Sequence, residues 1–139
     1  MRSGCVFNQS LPGSAVPTHL RVIIMNLSEL AQRLREFAKE RDWEQFHSPK
    51  NLSMALSVEV AELLEHFQWL TEMQSTSLEA EELAEVSEEI TDIQIYLTRL
   101  ADQLGVDIEN AVTKKLEVNA GKYPVAKAHG SALKSTKLK

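Results

Sequence analysis

The chain has 139 residues, enough for one domain with a single hydrophobic core. Hydrophobic residues make up 43% and charged residues 25%, which suits a globular protein and excludes a disordered chain. No apolar run approaches the roughly 20 residues of a membrane helix, so no membrane partner is expected. Cys5 is the only cysteine, which excludes an intrachain disulfide and favours a reducing, cytoplasmic location.

The net charge of -5 hides an uneven distribution along the chain. Residues 25–120 contain all 20 acidic residues and eight basic ones, a balance of -12, whereas residues 121–139 contain five lysines and no acid. A body this acidic repels nucleic acid polymers, which excludes them as expected partners. The basic end is expected to have no specific role, with a weak electrostatic contact as the lesser alternative.

The chain divides into three segments by composition. Residues 1–25 contain prolines, glycines and serines without acidic residues, and no unbroken apolar segment follows Arg2, which argues against a signal peptide. Because Met25 directly precedes a helix-start pattern, this leader is either a disordered extension or lies upstream of the natural start. We predict one domain over residues 26–125 and a basic, flexible tail over residues 126–139.

The first two predicted helices have clear N-terminal signals. Asn26 and Glu29 form a candidate capping box for a helix over residues 27–41, where leucines recur at helical spacing. Ser48 is a suitable N-cap for the second helix, and Pro49 fits its first turn. Apolar residues continue on several sides of this second helix, so we expect it to reach about residue 73 and to be widely buried.

Two further helices follow a polar loop at residues 74–77. Thr76 and Glu79 predict a capping box at the start of the third helix, which should end at Gly105 in a left-handed C-cap. Asp107 caps the fourth helix, which should stop near Gly121 because a proline follows. With no strand alternation and no internal repeat, the pattern predicts an all-α, four-helix bundle.

Carboxylates at unexpected positions indicate the chemistry. Glu59 and Glu62 are three residues apart, so they project from one face of the second helix, and that face is otherwise largely apolar. Glu89 and Asp92 repeat this arrangement on the third helix. Several close carboxylates are costly to bury without positive partners, and Arg99 is the only basic residue in the middle of the third helix. A divalent cation is the natural compensation, and carboxylate oxygens suit Mg²⁺ or Mn²⁺.

An alternative interpretation needs no metal. Each acidic pair, taken singly, is more often a solvated helix surface in an acidic protein. The chain would then be a helical interaction module whose acidic face binds a partner, and it would tolerate Glu59→Gln. Two matching pairs on apolar helix faces favour the metal site, although their spacing alone identifies no substrate.

Longer stretches of sequence narrow these alternatives. The segments RDWEQFHSPKNL, EVAELLEHFQW, EEITDIQIYL and KLEVNAGKYP begin at residues 41, 59, 88 and 115 and contain both acidic pairs. Together they resemble the MazG-like all-α nucleoside triphosphate pyrophosphohydrolases, in particular the dCTP pyrophosphatase branch. The resemblance extends over about residues 30–125. It implies a homo-oligomer, expected to be a tetramer, with active sites shared between subunits.

The resemblance also implies an activity. Glu59, Glu62, Glu89 and Asp92 would be the catalytic acids and would hold Mg²⁺, with Mn²⁺ as an alternative. A water molecule would attack the α-phosphorus of a nucleoside triphosphate, dCTP or a modified pyrimidine deoxynucleotide, and pyrophosphate would leave. Another substrate on the same fold, or an inactive relative, is the remaining alternative to this activity.

Residues implied to bind the substrate lie in three parts of the chain. By the resemblance, the base pocket and the phosphate-binding end would be formed by Trp43, Trp69, Tyr96, Lys115, Asn119, Lys122 and Tyr123. Aromatic faces stack on bases, and lysine suits phosphate as a compact charge. The alternatives are that both tryptophans are core or interface residues and that the lysines only favour the end of a helix dipole.

One position departs from the family pattern. Relatives carry a histidine in the base pocket where this chain has Leu34, which can neither donate nor accept a hydrogen bond; a broader or altered base preference is therefore open. His47 could contribute to the pocket, although a connecting or packing role is favoured. His66 lies one turn beyond Glu62 and is either a support for the metal ligands or a surface residue.

Overall fold

The computed structural model describes residues 26–138, so the predicted leader and the alternative start at Met25 lie outside the described residues. All regular secondary structure in residues 26–138 is helical, which confirms the all-α prediction. None of the helices in this described part is long and apolar enough to cross a membrane.

Helix α1, Leu27–Glu40, begins at the predicted cap. The Asn26 side chain accepts a hydrogen bond from the Glu29 backbone N–H at 2.8 Å, while the Glu29 carboxylate accepts from Arg33 Nη2 at 3.0 Å. The chain then reverses at Asp42, which has a left-handed φ of 54°, a conformation that aspartate tolerates better than most residues. The predicted N-cap is thus present, but the Glu29 carboxylate pairs with Arg33 and does not complete the predicted capping box.

Helix α2, Pro49–Phe67, follows a short 3₁₀ turn at Glu44–Phe46 and is capped by the Ser48 side chain, as predicted. It ends before the predicted residue 73, and a separate short helix, α3, occupies Glu72–Ser75, where a loop was expected. Thr71 explains the break: its hydroxyl accepts from the Gln74 backbone N–H, and Gln74 accepts from the Thr71 N–H, in a complete capping box.

Helix α4, Ala80–Leu104, starts from Glu79 and not from the predicted Thr76 box. The Glu82 carboxylate accepts from the Glu79 backbone N–H at 3.1 Å, which satisfies a donor at the helix start. At the other end Gly105 adopts a φ of 65°, the left-handed C-cap that was predicted.

Helix α5, Ile108–Lys122, begins at the predicted cap, where Asp107 accepts from the Asn110 N–H at 2.9 Å. A short helix α6, Val125–Ala128, and a 3₁₀ turn at Ser135–Lys137 follow it. Both turns lie at or beyond the end of the predicted domain, whose boundaries stay a prediction.

The core forms where α2 and α4 pack along each other and α1 packs on α4. Its buried apolar side chains are Ala38, Leu52, Val86 and Ala101, contributed by all three helices. Helix α5 has no fully buried residue, although Ile108 at its start is half-buried. The structure confirms the helical fold class, and the closest packing within one chain involves α1, α2 and α4.

Candidate metal and nucleotide site

The acidic residues predicted to bind metal lie where α2 and α4 face each other. Glu59 and Glu62 from α2 and Glu89 from α4 each place one carboxylate oxygen within 4.8 Å of the others. Spacing of three residues puts both α2 acids on the side of α2 that packs on α4. Within residues 26–138 this is the one group of three or more metal-ligating side chains so arranged.

Asp92 completes the predicted set one turn after Glu89. Burial raises the pKa of Glu59 above its ordinary value, and the negative charges of Glu62, Asp92 and Glu89 raise that pKa further. Such a rise means that the ionised cluster repels itself. None of these four acids forms an ion pair with a lysine or arginine of residues 26–138. The repulsion is therefore left for a ligand to relieve.

The chemistry of this donor set fits a hard divalent cation. Its ligands are carboxylate oxygens alone, with no cysteine or histidine in the cluster. Mg²⁺ and Mn²⁺ prefer such oxygens, whereas zinc sites in proteins rely mostly on sulfur and imidazole nitrogen. Glu59, Glu62, Glu89 and Asp92 are thus a suitable ligand set for Mg²⁺ or Mn²⁺.

An aromatic cleft opens beside the acidic cluster. It has a volume of about 370 Å³ and is bounded by α1, the connector after it, α2 and α4. Side chains that line it include Leu34, Phe37, Trp43, Ile95, Tyr96 and Asp92. Asp92 is not in the group of three acids whose oxygens lie within 4.8 Å of one another, but its charge helps to raise the pKa of Glu59 and it lines the cleft wall. A ligand in the cleft therefore lies beside the carboxylates.

Trp43 is held at the mouth of this cleft by its neighbours. Its ring packs edge-on against Phe37, with centroids 5.8 Å apart, and against His47 at 6.5 Å. The Trp43 backbone N–H also bonds to the Ala38 carbonyl at 2.9 Å, which fixes the turn after α1. The tryptophan remains 45% exposed, so part of its surface stays available to stack on a planar ligand.

Arg99 is a cleft residue whose role the sequence did not indicate. Its side chain is only 3% exposed; Nη1 donates to Asp102 at 2.7 Å, and Nε donates to His47 Nδ1 at 3.3 Å. Burial lowers the pKa of His47, and the positive charge of Arg99 lowers it further against an opposing effect of Glu44. His47 is therefore neutral at physiological pH and can accept the bond. The missed signal was spacing, since Arg99 follows Tyr96 by three residues on one helix face.

The structure also places the other three positions that the sequence left open. Leu34 lines the cleft, as its match to the family's base pocket predicted. His47 packs against Trp43 in the connector, as favoured, and also lines the cleft; a contact with the substrate stays a prediction. His66 Nδ1 lies 3.9 Å from a Glu85 carboxylate oxygen, beside the acidic cluster and not within it.

Five predicted substrate residues lie away from the cleft in a single chain. Trp69 is 86% exposed in the turn after α2. The other four are on α5 or at its end, which has no buried residue and does not line the cleft: Lys115, Asn119, Lys122 and Tyr123. Their predicted contacts with a nucleotide stay predictions, and they require α5 of another copy or a movement of α5.

Comparison with known proteins agrees with this geometry. The model of the MazG-like family matches residues 54–138, a range that includes both acidic pairs. The chain belongs to the MazG-like family, which confirms the resemblance inferred from its motifs.

Named relatives point to one branch of that family. The chain is 46% identical over 114 residues to dCTP pyrophosphatase 1 of Mus musculus and 43% identical to that of Homo sapiens; both matches cover 81% of this chain and 67% of the relative. A solved pyrophosphatase from Archaeoglobus fulgidus DSM 4304 superposes with a TM-score of 0.67 at 43% identity, covering 70% of this chain and 92% of that one.

Proposed function

We propose that this protein is a divalent-metal-dependent pyrophosphohydrolase of deoxynucleoside triphosphates, with dCTP or a modified pyrimidine nucleotide as substrate. One observation carries the proposal: carboxylates with no basic partner in the described chain lie beside an aromatic cleft, and Asp92, whose charge acts on Glu59 of the cluster, lines that cleft. A nucleoside triphosphate has the matching halves, a metal-binding polyphosphate and a planar base. The names of the dCTP pyrophosphatase relatives support the choice of nucleotide.

The acidic residues would hold the metal in this reaction. A bound Mg²⁺ supplies positive charge and Lewis acidity at the phosphate oxygens, which an acidic site would otherwise repel. Glu59, Glu62, Glu89 and Asp92 would hold that cation beside the cleft. Water attacks the α-phosphorus, the bond from that phosphorus to the bridging oxygen of the β-phosphate breaks, and a carboxylate accepts the proton of the water. The products are a nucleoside monophosphate and pyrophosphate.

The cleft would hold the base and so position the α-phosphorus. Trp43 is partly exposed and Tyr96 lies on the α4 face between Asp92 and Arg99, so aromatic surfaces flank the space next to the carboxylates. Stacking on aromatic side chains contributes roughly 1–3 kcal/mol per base. That energy fixes the nucleotide in the geometry that hydrolysis requires.

The test is release of pyrophosphate from a panel of nucleotides, with Mg²⁺, with Mn²⁺ and with chelator. In water enriched in ¹⁸O the label should enter the monophosphate and not the pyrophosphate, because attack occurs at the α-phosphorus. Glu59→Gln should lower turnover at least about 100-fold. Glu81→Gln is the matched control, since Glu81 is an exposed acid of α4 outside the cluster.

Two results would contradict this proposal. Label in the pyrophosphate would mean attack at the β-phosphorus and a different reaction. Absence of turnover of every nucleotide by folded, metal-supplied protein would favour the alternative, a helical interaction module with an acidic binding face.

We further propose that the protein assembles as a homo-oligomer, with a tetramer as the expected form. The proposal is supported by the apolar side chains that stay exposed in one chain on α2, α4 and α5. Its exposed residues include Val58, Val60, Leu64, Leu83, Ile90, Leu97, Val112 and Leu116. Large exposed apolar patches usually mark interfaces between proteins.

Light scattering on the full chain tests this assembly. The expected mass is four times that of one chain. Leu64→Arg should reduce the mass, because the charge would lie on the proposed interface, whereas Val125→Arg, at an even more exposed residue of α6, should not. A single-chain mass at micromolar concentration would refute the assembly.

A further inference from the structure

Arg99 carries a buried donor that the fold leaves without a partner. The side chain is 3% exposed, and its Nη2 atom is buried and has no hydrogen-bond partner among residues 26–138. A carboxylate oxygen of Glu44 lies 3.9 Å from Nη2, which is too far for a hydrogen bond. Buried polar groups are nearly always satisfied, and leaving one unpaired is costly, so this atom calls for an acceptor from outside the chain.

The other two nitrogens of the guanidinium fix where Nη2 lies. Nη1 donates to Asp102 at 2.7 Å and Nε donates to His47 at 3.3 Å. Because a guanidinium is planar, two anchored nitrogens determine the direction of the third. Arg99 is one of the residues that line the aromatic cleft, and Nη2 is its one nitrogen without a hydrogen bond in the described chain.

The position of Arg99 along α4 suits the base and not the phosphates. It follows Asp92 by seven residues, which at the helical rise corresponds to about 10 Å. Tyr96 lies between them on the same wall of the cleft. Phosphates held at the carboxylates would therefore be about two helical turns away, while the base would extend toward Arg99. Leu34, also in the cleft wall, offers no hydrogen bond of its own.

We propose that Arg99 is a specificity-determining residue, whose Nη2 donates a hydrogen bond to the N3 acceptor of a cytosine base. This inference rests on the proposed function and names the feature of the nucleotide that the cleft selects. A guanidinium only donates hydrogen bonds, so it favours a base atom that only accepts them. Uracil and thymine carry an N–H at position 3, so this N–H donor would face the N–H donor of Arg99 and no hydrogen bond would form. Arg99 on α4 would thus select the base, because Leu34 on α1 can form no hydrogen bond with it.

The first experiment changes both the base of the substrate and the side chain of Arg99. The full-length protein is assayed with dCTP, with dUTP and with 3-deaza-dCTP, in which a C–H replaces the N3 acceptor. Wild type should prefer dCTP over 3-deaza-dCTP by about 10- to 100-fold in kcat/KM. Arg99→Met should lower kcat/KM for dCTP by a similar factor and bring both the 3-deaza and the dUTP ratios close to one.

Arg35→Met is the matched control. Arg35 pairs with the same Asp102 carboxylate as Arg99, but it lies on α1 outside the aromatic cleft. This variant should retain the wild-type preference for dCTP. A merely structural role of Arg99 would lower kcat/KM equally for all three nucleotides and leave the ratios unchanged, which would overturn the inference.

Binding separates this inference from the proposed function. Calorimetry with the non-hydrolysable α,β-imido forms of dCTP and 3-deaza-dCTP, in Mg²⁺, measures base selection without turnover. If no nucleotide is hydrolysed but the analogues differ in Kd by about 10-fold or more in wild type alone, the proposed function fails and the role of Arg99 stands. Equal Kd values, or no binding of either analogue, overturn the role of Arg99.

A folding defect of Arg99→Met would not end the test. Arg99→Lys keeps the buried charge beside Asp102 but loses the planar fork, so it should fold and show a reduced preference for dCTP. The wild-type comparison of dCTP with 3-deaza-dCTP needs no variant, and equal turnover of the two by wild type would by itself refute the proposal.

Discussion

Arg99 Nη1 donates a hydrogen bond to Asp102 Oδ2 over 2.7 Å, within a single turn of α4. The same carboxylate also pairs with Arg35 of α1, so Asp102 connects two helices through two arginines. Asp102 therefore has two functions: it orients the arginine of the cleft and holds α1 against α4.

Removing Asp102 should destabilise the fold. In Asp102→Ala the guanidinium of Arg99, only 3% exposed, loses its charged partner while it remains buried. The expected loss is about 3 kcal/mol in the free energy of unfolding, measured by denaturant titration. Glu29→Ala is the control, because its pair with Arg33 is exposed and contributes at most about 0.5 kcal/mol. Equal losses in the two variants would show that the Asp102 network does not hold the helices together.

Leu52 tests the core in the same way. It is 2% exposed, lies on α2 and forms part of the cleft wall, so Leu52→Ala leaves a cavity between α2 and its neighbours. We expect a loss of about 2–5 kcal/mol in unfolding free energy. Leu133→Ala, at a residue 53% exposed, should change stability by less than about 0.5 kcal/mol. A small loss at Leu52 would contradict the packing of α2 on α4.

The acidic cluster predicts how stability depends on pH and metal. The folded pKa of Glu59 is raised, so its stabilising contribution is complete below the unfolded value of 4.5 and is lost as pH rises through the folded pKa. At neutral pH without metal, Glu59→Gln should therefore be at least as stable as wild type. Mg²⁺ should raise the Tm of wild type, since it binds only the folded state, and should raise the Tm of Glu59→Gln much less.

Scanning calorimetry with Mg²⁺ and with chelator measures both effects. Glu81→Gln should show the full Mg²⁺ response of wild type, because Glu81 is outside the cluster. An equal Mg²⁺ response in wild type and Glu59→Gln would place the metal elsewhere.

His47 should give the protein a sensitivity to acid. Its folded pKa is lowered from 6.5 by burial and by Arg99, so protonation favours the unfolded chain. The stability that His47 contributes is complete above 6.5 and is lost as pH falls from there through the lowered folded pKa. His47→Gln should remove this part of the slope, measured as unfolding free energy between about pH 7.5 and pH 5. Parallel slopes in the two proteins would contradict a lowered His47 pKa.

Mixing of variants tests whether α5 completes the site of another subunit. Glu59→Gln lacks a metal ligand on α2, and Lys122→Ala lacks a predicted phosphate contact at the end of α5. If a site combines residues of two chains, refolding an equal mixture should regenerate about a quarter of the sites intact. Activity of the mixture should then exceed that of either variant alone. No recovery in mixed oligomers would mean that each chain uses its own α5.

The starts of α1, α2 and α5 were predictable because their signals are local, whereas α4 starts from Glu79 and not from the predicted Thr76. Ser48 and Asp107 cap the helices they were expected to cap, and Gly105 takes the left-handed conformation that the end of α4 requires. The end of α2 was not predictable, because apolar residues continue with helical spacing past Phe67 and only the Thr71 capping box interrupts them. Whether a helix continues or a new cap interrupts it depends on the relative free energies of the two conformations, which the residue pattern does not show.

In the candidate site, too, local features were predictable and contacts between distant residues were not. Glu59, Glu62 and Glu89 were found from spacing of three residues on two helices that had to face each other. The link between Arg99 and His47 joins residues 52 positions apart, and no periodicity reveals such a contact. The sequence also did not predict that α5 would have no buried residue within one chain. An apolar helix face can be recognised in a sequence, but the sequence does not show whether the same chain or another chain covers that face.

The acidic cluster has a consequence for the kinetics of encounter. Residues 25–120 carry a net charge of -12 and repel a free triphosphate at long range. This repulsion lowers the rate of productive association. Inert salt screens that repulsion over about 10 Å at 0.1 M and should accelerate association, opposite to the salt effect on oppositely charged partners. The Mg²⁺ complex of the nucleotide, with part of its charge neutralised, becomes the species that arrives fastest. Cellular free magnesium would then set the capture rate as well as the occupancy of the site.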